Sequence, residues 1–390
     1  MFFHLTKIIH KAVYMMTSHK DAYNYKKRIH NIQQKLKEKS FNAFMICNAE
    51  NRFYLTGFFV DDDQIDEISG LLFITEKKVL LATDSRYYVQ AQSETTDIEI
   101  FCYNDKLEKV IPAILKKLSV QSLGFESTRI PVSLYEKLQR SIIDQHLLVR
   151  LIPVPTFVED DRTTKEDNEI KMIQRALDIA ESSFLKVVNT LKPTMTEKEI
   201  AWNLESEIRQ SGADSLAFSI IVASGPNAAL PHAIPTDRVI GANTPVLFDW
   251  GARINGYRSD ISRTIVLGEP ESEFIQAFNV LAETQQMAIN EISEGKKAKD
   301  IAKKAHDYLE KKGYAEVKFA HGLGHGVGLA THESPHLSLI KDTVLKKNSV
   351  VTVEPGIYIP NRWGIRLENM VVVKDGPAHN LNALPIQYQF

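Results

Sequence analysis

Hydrophobic and polar residues follow two different periods along the N-terminal part of the chain. An apolar residue every three or four positions predicts helices at 21–39 and 107–118, and short continuous apolar runs predict buried strands at 41–47 and 122–127. This alternation of helices and strands is typical of a mixed sheet with helices packed on it. We therefore predict an α/β domain over residues 21–153.

Two features divide this domain and mark its ends. Apolar runs on either side of a charged turn predict a β-hairpin at 71–84. A stretch at 154–167 contains a proline and many charges, and we predict that it is a linker. Residues 1–20 are assigned to an N-terminal extension. Charged residues interrupt its apolar run, so we expect no cleaved signal peptide there.

The remainder of the chain, residues 168–390, repeats one order of elements twice. Long helical patterns at 168–191 and 271–292 are each followed by a second helical pattern and then by strand-like segments. Thr196 and Glu199 form a capping-box signature, which predicts that a helix begins there. We expect two similar halves, and a site at their seam would draw residues from both.

The composition is that of an ordinary globular protein, with 44% apolar and 25% charged residues and a formal net charge of −2. This charge gives no electrostatic reason to expect a nucleic-acid partner. No apolar stretch reaches the roughly 18 residues that predict a membrane span. Cys47 and Cys102 do not make a disulfide framework and fit a reducing compartment. We therefore expect a cytoplasmic protein.

Four carboxylates and one imidazole lie in short, glycine-marked segments of the second domain. They are Asp249, Asp260, His325, Glu354 and Glu368, in the segments 248–264, 321–336, 352–358 and 364–369. Carboxylates that meet in a low dielectric repel strongly unless cations neutralise them. If these segments converge, they predict a dinuclear metal site for hydrolysis. Oxygen ligands with a single imidazole suit Mn²⁺, Co²⁺ or Zn²⁺.

The spacing of the two aspartates gives a geometric reason for this prediction. The Asn-Gly pair at 255–256 is a strong signal for a two-residue hairpin turn. Counting outward from that turn pairs Asp249 with Ser262. Asp260 is two residues from Ser262, so both aspartates lie on one face of the hairpin. The alternative is two unrelated aspartates near a turn.

Histidines and one arginine gather around the same segments. The histidines are His232, His321, His325, His332 and His336, five of the twelve in the chain. Four glycines within 321–328 argue against a helix and for a loop with close backbone approach. Arg366 shares a strand face with Glu368 at period two, and we expect it to hold a carboxylate ligand in place. A plain salt bridge is the alternative.

In chain order, these segments read D-x-G-A-x4-Y-x-S-D, G-H-G-x-G, H-E-x-P, V-E-P-G and R-x-E. Together they resemble the pita-bread metallopeptidases of family M24. Residues 51–58 and 83–87 resemble the N-terminal domain that the proline-specific branch shares with creatinase. The resemblance spans roughly residues 25–385. It implies a pita-bread catalytic domain of mixed α/β class after a smaller, creatinase-like α/β domain.

The resemblance also implies a role for each of the five matched residues. Asp249 would be a terminal ligand of one metal. Asp260 and Glu368 would bridge both metals, and His325 with Glu354 would complete the second. Two divalent cations per chain are implied, with Mn²⁺ expected and Co²⁺ or Zn²⁺ as alternatives. Glu354 would also act as general base towards the bridging water.

On the substrate side, the segment 224–233 resembles the one that supplies an active-site histidine, here His232. His232 and His332 would bind and polarise the substrate near the scissile carbonyl. A metal-bridging hydroxide would attack that carbonyl, on the amino side of proline. Four further residues would bind the substrate or support the metal ligands. They are His321, His336, Tyr257 and Arg366.

The substrate's length distinguishes two activities within the proline-specific branch. Some prolidases place an arginine after the H-E-x-P segment to hold the carboxylate of a dipeptide, and this chain has His336 there. We therefore expect an Xaa-Pro aminopeptidase that accepts longer peptides, with an Xaa-Pro dipeptidase (prolidase) as the alternative. A peptide substrate and a homodimer are implied, without nucleic-acid or membrane partners.

Three other readings of the resemblance fit less well. Methionine aminopeptidases generally have no N-terminal domain like the one predicted here. Creatinase shares the fold without the full set of metal ligands, all of which this chain has. A binding protein with a dead site would have lost some of those ligands.

Overall fold

The computed structural model describes residues 23–62 and 68–390. The predicted extension at 1–20 lies outside this range. The chain divides into two compact units, Met1–Asp161 and Arg162–Phe390, while the predicted linker limits at 154–167 stay a prediction. In the described part, no helix is long and apolar enough to cross a membrane.

The first unit alternates helices and strands. Its elements are α1 Tyr25–Leu36, β1 Ala43–Ile46, α2 Ala49–Thr56, β2 Gly70–Thr75, β3 Val79–Asp84, α3 Tyr88–Glu94, β4 Glu99–Tyr103, α4 Leu107–Lys117, β5 Ser122–Glu126, α5 Val132–Asp144, β6 Arg150–Val154 and α6 Glu159–Arg162. The strand order is β4-β3-β2-β1-β5-β6. Strand β1 runs antiparallel to β2 and parallel to β5, so the predicted mixed sheet is confirmed. The predicted hairpin is β2 with β3.

Helix α4 shows why this sequence forms a helix on a sheet. Its apolar residues recur at helical spacing, so Val110, Ile111 and Ile114 are buried on one side. They join a cluster that includes Leu123 and Phe125 of β5. Burial of each such side chain stabilises the fold by roughly 1.5–3 kcal/mol.

The second unit contains the repeated pattern. The first half comprises α7 Asp167–Val188, α8 Glu197–Gln210, β7 Ser215–Leu216, β8 Ile221–Ser224, β9 Pro245–Trp250, β10 Ala252–Ile254, β11 Tyr257–Arg258 and β12 Ile261–Val266. The second half comprises α9 Ser272–Glu291, α10 Ala298–Lys311, β13 Gly324–Gly326, β14 Glu333–Leu337, β15 Val350–Val353, β16 Gly356–Ile359, β17 Trp363–Arg366, β18 Asn369–Val372 and β19 His379–Asn380.

Each half of this unit has two sheets. Those of the first half have the orders β12-β9-β8 and β11-β10-β7, and those of the second half have the orders β14-β13-β15-β18-β19 and β16-β17. Buried residues from both halves form one core, for example Leu247 of β9, Phe274 of α9 and Val351 of β15. The capping box at Thr196 begins α8 as predicted, because the Thr196 hydroxyl accepts from the Glu199 N–H.

The predicted register of the aspartate hairpin is confirmed. Ile254 pairs with Tyr257 across the turn, and Asp249 pairs with Ser262. Asn255 and Gly256 have φ angles of 52° and 83°. Two positive φ angles in succession are what a tight turn between twisted strands requires, and Asn-Gly supplies them at the lowest cost.

The glycine-rich segment at 321–328 differs from the prediction. The prediction of a loop there was wrong in part, because residues 324–326 form strand β13 between β14 and β15. The predicted close approach is present. A Cβ on Gly326 would lie 2.2 Å from the Ser334 carbonyl oxygen, so no larger residue fits this ladder.

The argument that placed Arg366 and Glu368 on one strand face was also wrong. Arg366 is the last residue of β17, and β18 begins at Asn369, so the strand is interrupted between the two side chains. Ser262 of β12 brings them together instead. Its hydroxyl accepts from Arg366 Nε at 3.0 Å and donates to Glu368 Oε2 at 2.8 Å.

Candidate active site

A cavity of about 630 Å³ opens in the second unit. All five predicted metal ligands line it, together with four more of the predicted site residues and Arg366. The complete set of predicted residues in its wall is Asp249, Asp260, His325, Glu354, Glu368, His232, His321, His332, His336 and Arg366. The fold therefore brings together residues that are up to 136 positions apart in the sequence (232 to 368).

The carboxylates and His325 approach one another closely. Ligand atoms of Asp260, His325 and Glu368 all lie within 4.8 Å of one another. His325 Nε2 is 3.6 Å from Asp260 Oδ2 and 3.4 Å from Glu354 Oε1. These separations are too long for strong hydrogen bonds. They leave room for a shared cation among the four side chains.

The ring nitrogens of His325 are oriented for such a cation. Nδ1 lies 3.1 Å from the Gly326 carbonyl oxygen, which can only accept, so Nδ1 carries the proton in this contact. Nε2 then presents a lone pair to the two carboxylates. A lone pair that faces anionic oxygens is unfavourable without a cation between them, and this is the usual tautomer of a histidine ligand.

Protonation is the other way in which these carboxylates could coexist. Burial and the neighbouring charge of Glu368 raise the pKa of Asp260 well above its ordinary value. Burial and the charge of Glu354 do the same for the pKa of Glu368. Burial also raises the pKa of Glu354. Without a cation, these carboxyl groups would therefore hold protons more readily than isolated carboxylates do.

Two buried oxygens in the cluster have no hydrogen-bond partner among the described residues. They are Asp249 Oδ1 and Glu368 Oε1. Burial of a polar atom without a hydrogen bond is unfavourable, and most of all for an ionised carboxylate. A divalent cation would satisfy both atoms. The donor set, four carboxylates and one imidazole, therefore fits hard divalent metals.

Arg366 binds one carboxylate of this cluster and two neighbouring groups. The side chain is buried, and Nη2 forms an ion pair with Asp249 Oδ2. Nη1 donates to the Pro231 carbonyl at 2.9 Å and to the Tyr358 hydroxyl at 3.0 Å. Arg366 thus holds a carboxylate, as expected, and this carboxylate belongs to Asp249. The Pro231 contact also ties Arg366 to the residue before His232.

His321 belongs to the same chain of hydrogen bonds. Its Nδ1 donates to the Gly322 carbonyl at 2.8 Å, so Nε2 accepts from the Tyr358 hydroxyl at 3.2 Å. Burial lowers the pKa of His321, which favours the neutral ring that this arrangement needs. Arg366, Tyr358 and His321 thus form a continuous polar support on one side of the cavity.

The remaining histidines face the open part of the cavity. His232 and His332 are exposed residues of its lining. The ring of His332 lies 4.3 Å from the ring of His325, centroid to centroid. Although the residue as a whole is exposed, partial burial of its ring and the neighbouring His325 lower the pKa of His332 to about 4. His336 is paired with His325 across β13 and β14, so it stands beside the cluster.

Tyr257 is placed differently from the other predicted residues. It is fully buried, is not in the cavity wall, and donates from its hydroxyl to Glu169 Oε1 at 2.9 Å. Sequence reasoning also missed Ser262 and Tyr358, which support the cluster. The hairpin count had placed Ser262 opposite Asp249. For Tyr358, which acts through tertiary contacts, the sequence offered no signal.

Comparison with known proteins agrees with this geometry. Residues 171–375 match the metallopeptidase family M24, and residues 28–163 match the creatinase/prolidase N-terminal domain. The chain belongs to metallopeptidase family M24. The M24 match lies in the second unit, and the creatinase/prolidase match covers most of the first. Together the two matches confirm the predicted fold class, a pita-bread catalytic domain preceded by a creatinase-like α/β domain.

Relatives with solved structures have the same fold along their whole length. The Xaa-Pro dipeptidase from Bacillus anthracis is 33% identical, with a TM-score of 0.88 over 94% of this chain and 100% of that one. The X-Pro aminopeptidase from Thermotoga maritima MSB8 is 34% identical, with a TM-score of 0.81 over 92% of this chain and 100% of that one. An uncharacterised peptidase, YqhT of Bacillus subtilis (strain 168), is 33% identical over 88% of this chain and 94% of the relative.

The M24 protein is therefore a metallopeptidase, and the predicted class of enzyme is confirmed. Membership of the family implies the use of a divalent metal. Asp260, His325 and Glu368 are gathered as such a site requires.

Proposed function

We propose that this M24 peptidase removes the N-terminal residue from peptides with proline in second position. Asp249, Asp260, His325, Glu354 and Glu368 would hold two divalent cations, with Mn²⁺ expected and Co²⁺ or Zn²⁺ as alternatives. The observation that carries the proposal is the cluster itself, together with the buried oxygens Asp249 Oδ1 and Glu368 Oε1, which have no hydrogen-bond partner among the described residues. When bound, such cations lower the pKa of a coordinated water and polarise a carbonyl.

The chain's own residues would complete the reaction. Glu354 is partly buried in the cavity wall, 3.4 Å from His325 Nε2, and would accept a proton from water as general base. His332 is neutral at pH 7 because its pKa is lowered to about 4, so it would donate an N–H to the scissile carbonyl without adding charge. His232 would bind the substrate from the opposite loop.

The wall contributed by the first half supports a proline-containing substrate. Phe218, Ile220 and Ile234 line the cavity there. A pyrrolidine ring has no N–H to satisfy and gains from contact with apolar surface. The names of the solved relatives, an X-Pro aminopeptidase and an Xaa-Pro dipeptidase, point to the same kind of bond.

A second candidate, Xaa-Pro dipeptidase, is favoured by Lys341. This residue lines the cavity near His336, and its ammonium makes no ion pair with any carboxylate that the structure describes. The adjacent Asp342 pairs with Lys297 instead. An unpaired cation at the rim suits the terminal carboxylate of a dipeptide. His336, in place of an arginine, keeps the aminopeptidase as the first proposal.

One comparison of substrates tests both candidates. Mn²⁺-loaded protein is assayed for release of the first residue from Xaa-Pro-Xaa tripeptides and from Xaa-Pro dipeptides. The first proposal expects faster turnover of tripeptides. Cleavage of dipeptides alone would replace it with the dipeptidase, and inertness towards both with metal bound would reject proline-specific peptidase activity altogether.

We also propose that the protein is a cytoplasmic homodimer. Both cysteines, Cys47 and Cys102, are free thiols, in keeping with a reducing compartment. Light scattering after size-exclusion chromatography would give a mass near twice 44.2 kDa. A mass of one chain would contradict the dimer.

A further inference from the structure

His332 depends on its backbone for its position. The ring makes no hydrogen bond with any residue in 23–62 or 68–390, and its ring contact is with His325. A side chain without a hydrogen bond has several staggered rotamers of similar energy available. Its segment, residues 327–332, connects β13 with β14. Whatever holds this segment therefore determines where the imidazole meets a substrate.

The residue after His332 is held by two cations. Glu333 Oε2 accepts from Arg162 Nη2 at 2.5 Å, and Oε1 accepts from Lys165 Nζ at 2.6 Å. The three side chains are 8%, 4% and 1% exposed, respectively. Burial alone would raise the pKa of Glu333, but the charges of Lys165 and Arg162 lower it, so the carboxylate is ionised. We call Arg162, Lys165 and Glu333 the buried triad.

The residues before His332 are held separately. The Arg258 N–H donates to the Gly328 carbonyl at 2.9 Å, and its Nε donates to the Leu329 carbonyl at 2.9 Å. The Thr331 hydroxyl donates to the Ala217 carbonyl at 3.2 Å. His332 is thus the free side chain between two fixed points, one at Arg258 and one at the buried triad.

Gly328 shows how closely the segment is fitted to the carboxylate. A Cβ at this position would lie 2.5 Å from Glu333 Oε1. The backbone at Gly328 therefore packs directly against the Glu333 side chain. A shift of that carboxylate would move the segment on both sides of His332.

We propose that Glu333, held by Arg162 and Lys165, is a positioning residue that fixes His332 against the substrate. The inference rests on the proposed function, since His332 has its substrate role only there. Stability alone does not account for the triad. Buried charges lose their hydration, at a cost of several kcal/mol per ion. Replacement of buried ion pairs by well-packed apolar residues therefore often leaves a fold equally stable or more stable. A directional carboxylate with two fixed partners supplies geometry, which apolar side chains do not.

A double-mutant cycle between Glu333 and His332 tests the proposal. Glu333→Gln should lower kcat by about a hundredfold with a smaller change in KM, because a misplacement of about 1 Å can have that effect. In a His332→Ala background, the same change should lower kcat by less than about twofold, since the positioned group is already gone. An equal loss in both backgrounds would overturn the proposal.

Glu197→Gln is the matched control. Glu197 is also buried in the second unit, and it holds the other histidine segment. It accepts from the Ser224 N–H at 2.7 Å and from the Thr236 N–H at 3.0 Å, on either side of His232. Its replacement should lower kcat by the same factor with and without His332→Ala. The cycle thus separates positioning of His332 from a general weakening of the unit.

A second readout does not require activity. In Zn²⁺-loaded protein with ¹⁵N-labelled histidine, the ring signals of His332 are assigned by their loss in His332→Ala. Glu333→Gln should shift or broaden them and leave the His232 signals unchanged. Unchanged His332 signals would overturn the proposal. Wild-type protein that is inert towards Xaa-Pro peptides, yet shows this shift, would reject the proposed function alone.

Loss of the single carboxylate takes the Glu333 partner away from two buried cations, which is destabilising. The variant Arg162→Met/Lys165→Met/Glu333→Met removes all three charges at once and should fold. It should still show displaced His332 ring signals and a lowered kcat. Wild-type signals and kcat in this variant would show that the triad does not position His332.

Discussion

The two halves of the M24 catalytic unit share an order of elements but present different side chains to the cavity. The first half lines it with Phe218, Ile220 and Ile234 beside the aspartate hairpin. The second half lines it with Lys341 and Arg366, and with most of the histidines. One wall is therefore apolar and the other is charged.

This difference separates what the repeat supplies from what it does not. A dinuclear site needs carboxylates from two sides, and two similar halves provide them. A peptide substrate, in contrast, is not symmetric. It presents apolar side chains in one place and charged termini in another. We infer that the two walls diverged around a shared metal-binding frame, which is formed by the carboxylates of both halves. Replacement of a frame residue should have the same effect in either half. Replacement of a wall residue should affect the recognition of one feature of the substrate.

The largest effect is expected at the shared frame. Asp260→Ala in the first half and Glu368→Ala in the second should each lower activity by more than about a hundredfold, beyond the 10–100-fold that loss of an outer partner costs. Both should also lower the metal content from about two ions per chain, because each removes an oxygen proposed to bridge. Elemental analysis after dialysis measures the metal, and an Xaa-Pro peptide assay measures the activity.

Glu205→Gln is the control for these variants. Its carboxylate forms an exposed ion pair with Arg209 on the first half, so its removal should leave metal and activity unchanged. A full complement of metal in Asp260→Ala would contradict the bridging role. If only one of the two variants, Asp260→Ala or Glu368→Ala, lost metal, the two halves would not share the metal-binding frame.

Arg366 connects the halves, and its replacement should have the next largest effect. Arg366→Lys keeps the charge but cannot reach Asp249, Ser262 and Pro231 at once. We expect metal affinity or activity to fall by about 10–100-fold, as for other groups that orient a ligand. Titration with Mn²⁺, followed by activity and by calorimetry, gives both values.

Arg366→Met is the stronger companion variant. It leaves Asp249 buried without its cation, so stability should also fall, by roughly 3–5 kcal/mol when metal is absent. Saturating Mn²⁺ should restore part of this loss, because the cation neutralises the same carboxylate. If metal restores nothing, Arg366 does not act on the cluster through Asp249.

Local signals explain how much could be predicted from the sequence. The Asn-Gly turn determined the register of the aspartate hairpin without any long-range information, and the pairing of Asp249 with Ser262 followed from it. The helical periods located the long helices for the same reason. The five proposed ligands were singled out because each lies in a short segment that contains glycine, and these segments match the family pattern in order.

Features that depend on tertiary contacts were not predicted correctly or were missed. Arg366 and Glu368 meet through Ser262, more than 100 residues away, and not along one strand. Tyr257 lies in a matched motif, yet its hydroxyl bonds to Glu169 in α7. No sequence spacing encodes such partners, since the fold alone brings them together.

The buried triad should make stability depend on pH in the acid range. The pKa of Glu333 is below its ordinary value of 4.5 in the folded protein, so the unfolded chain binds its proton more readily. Its contribution is complete above that value and is lost as pH falls through the lower, folded value. We expect the stability of wild type relative to Arg162→Met/Lys165→Met/Glu333→Met to fall on acidification below 4.5. Denaturant unfolding across this range measures it.

An exposed pair in the same half supplies the control. Lys303 and Asp307 form an ion pair on α10 with more than half of each side chain exposed. Asp307→Asn should change stability by less than about 0.5 kcal/mol at every pH. If the gap between wild type and the triple variant instead widens on acidification, the sign of the Glu333 contribution is wrong.

The smallest effect is expected at the charged wall. Lys341→Met should raise KM for Xaa-Pro dipeptides by about two- to fivefold, since an exposed charge pair contributes roughly 0.2–1 kcal/mol. Tripeptides that end in an amide should show no change, because they carry no carboxylate for Lys341 to meet. Initial rates at 50 mM and 500 mM salt, roughly 14 Å and 4 Å of screening length, would show the dipeptide effect weaken.

Phe218→Ala is the matched change on the apolar wall. Phe218 lines the apolar wall proposed to receive proline, which dipeptides and tripeptides have in common, so KM should rise for both by a similar factor. Salt should leave that factor unchanged, because the lost contact is apolar. If Lys341→Met also raises KM equally for both substrates, the ammonium of Lys341 does not bind the terminal carboxylate. The charged wall then gives no reason to prefer a dipeptide.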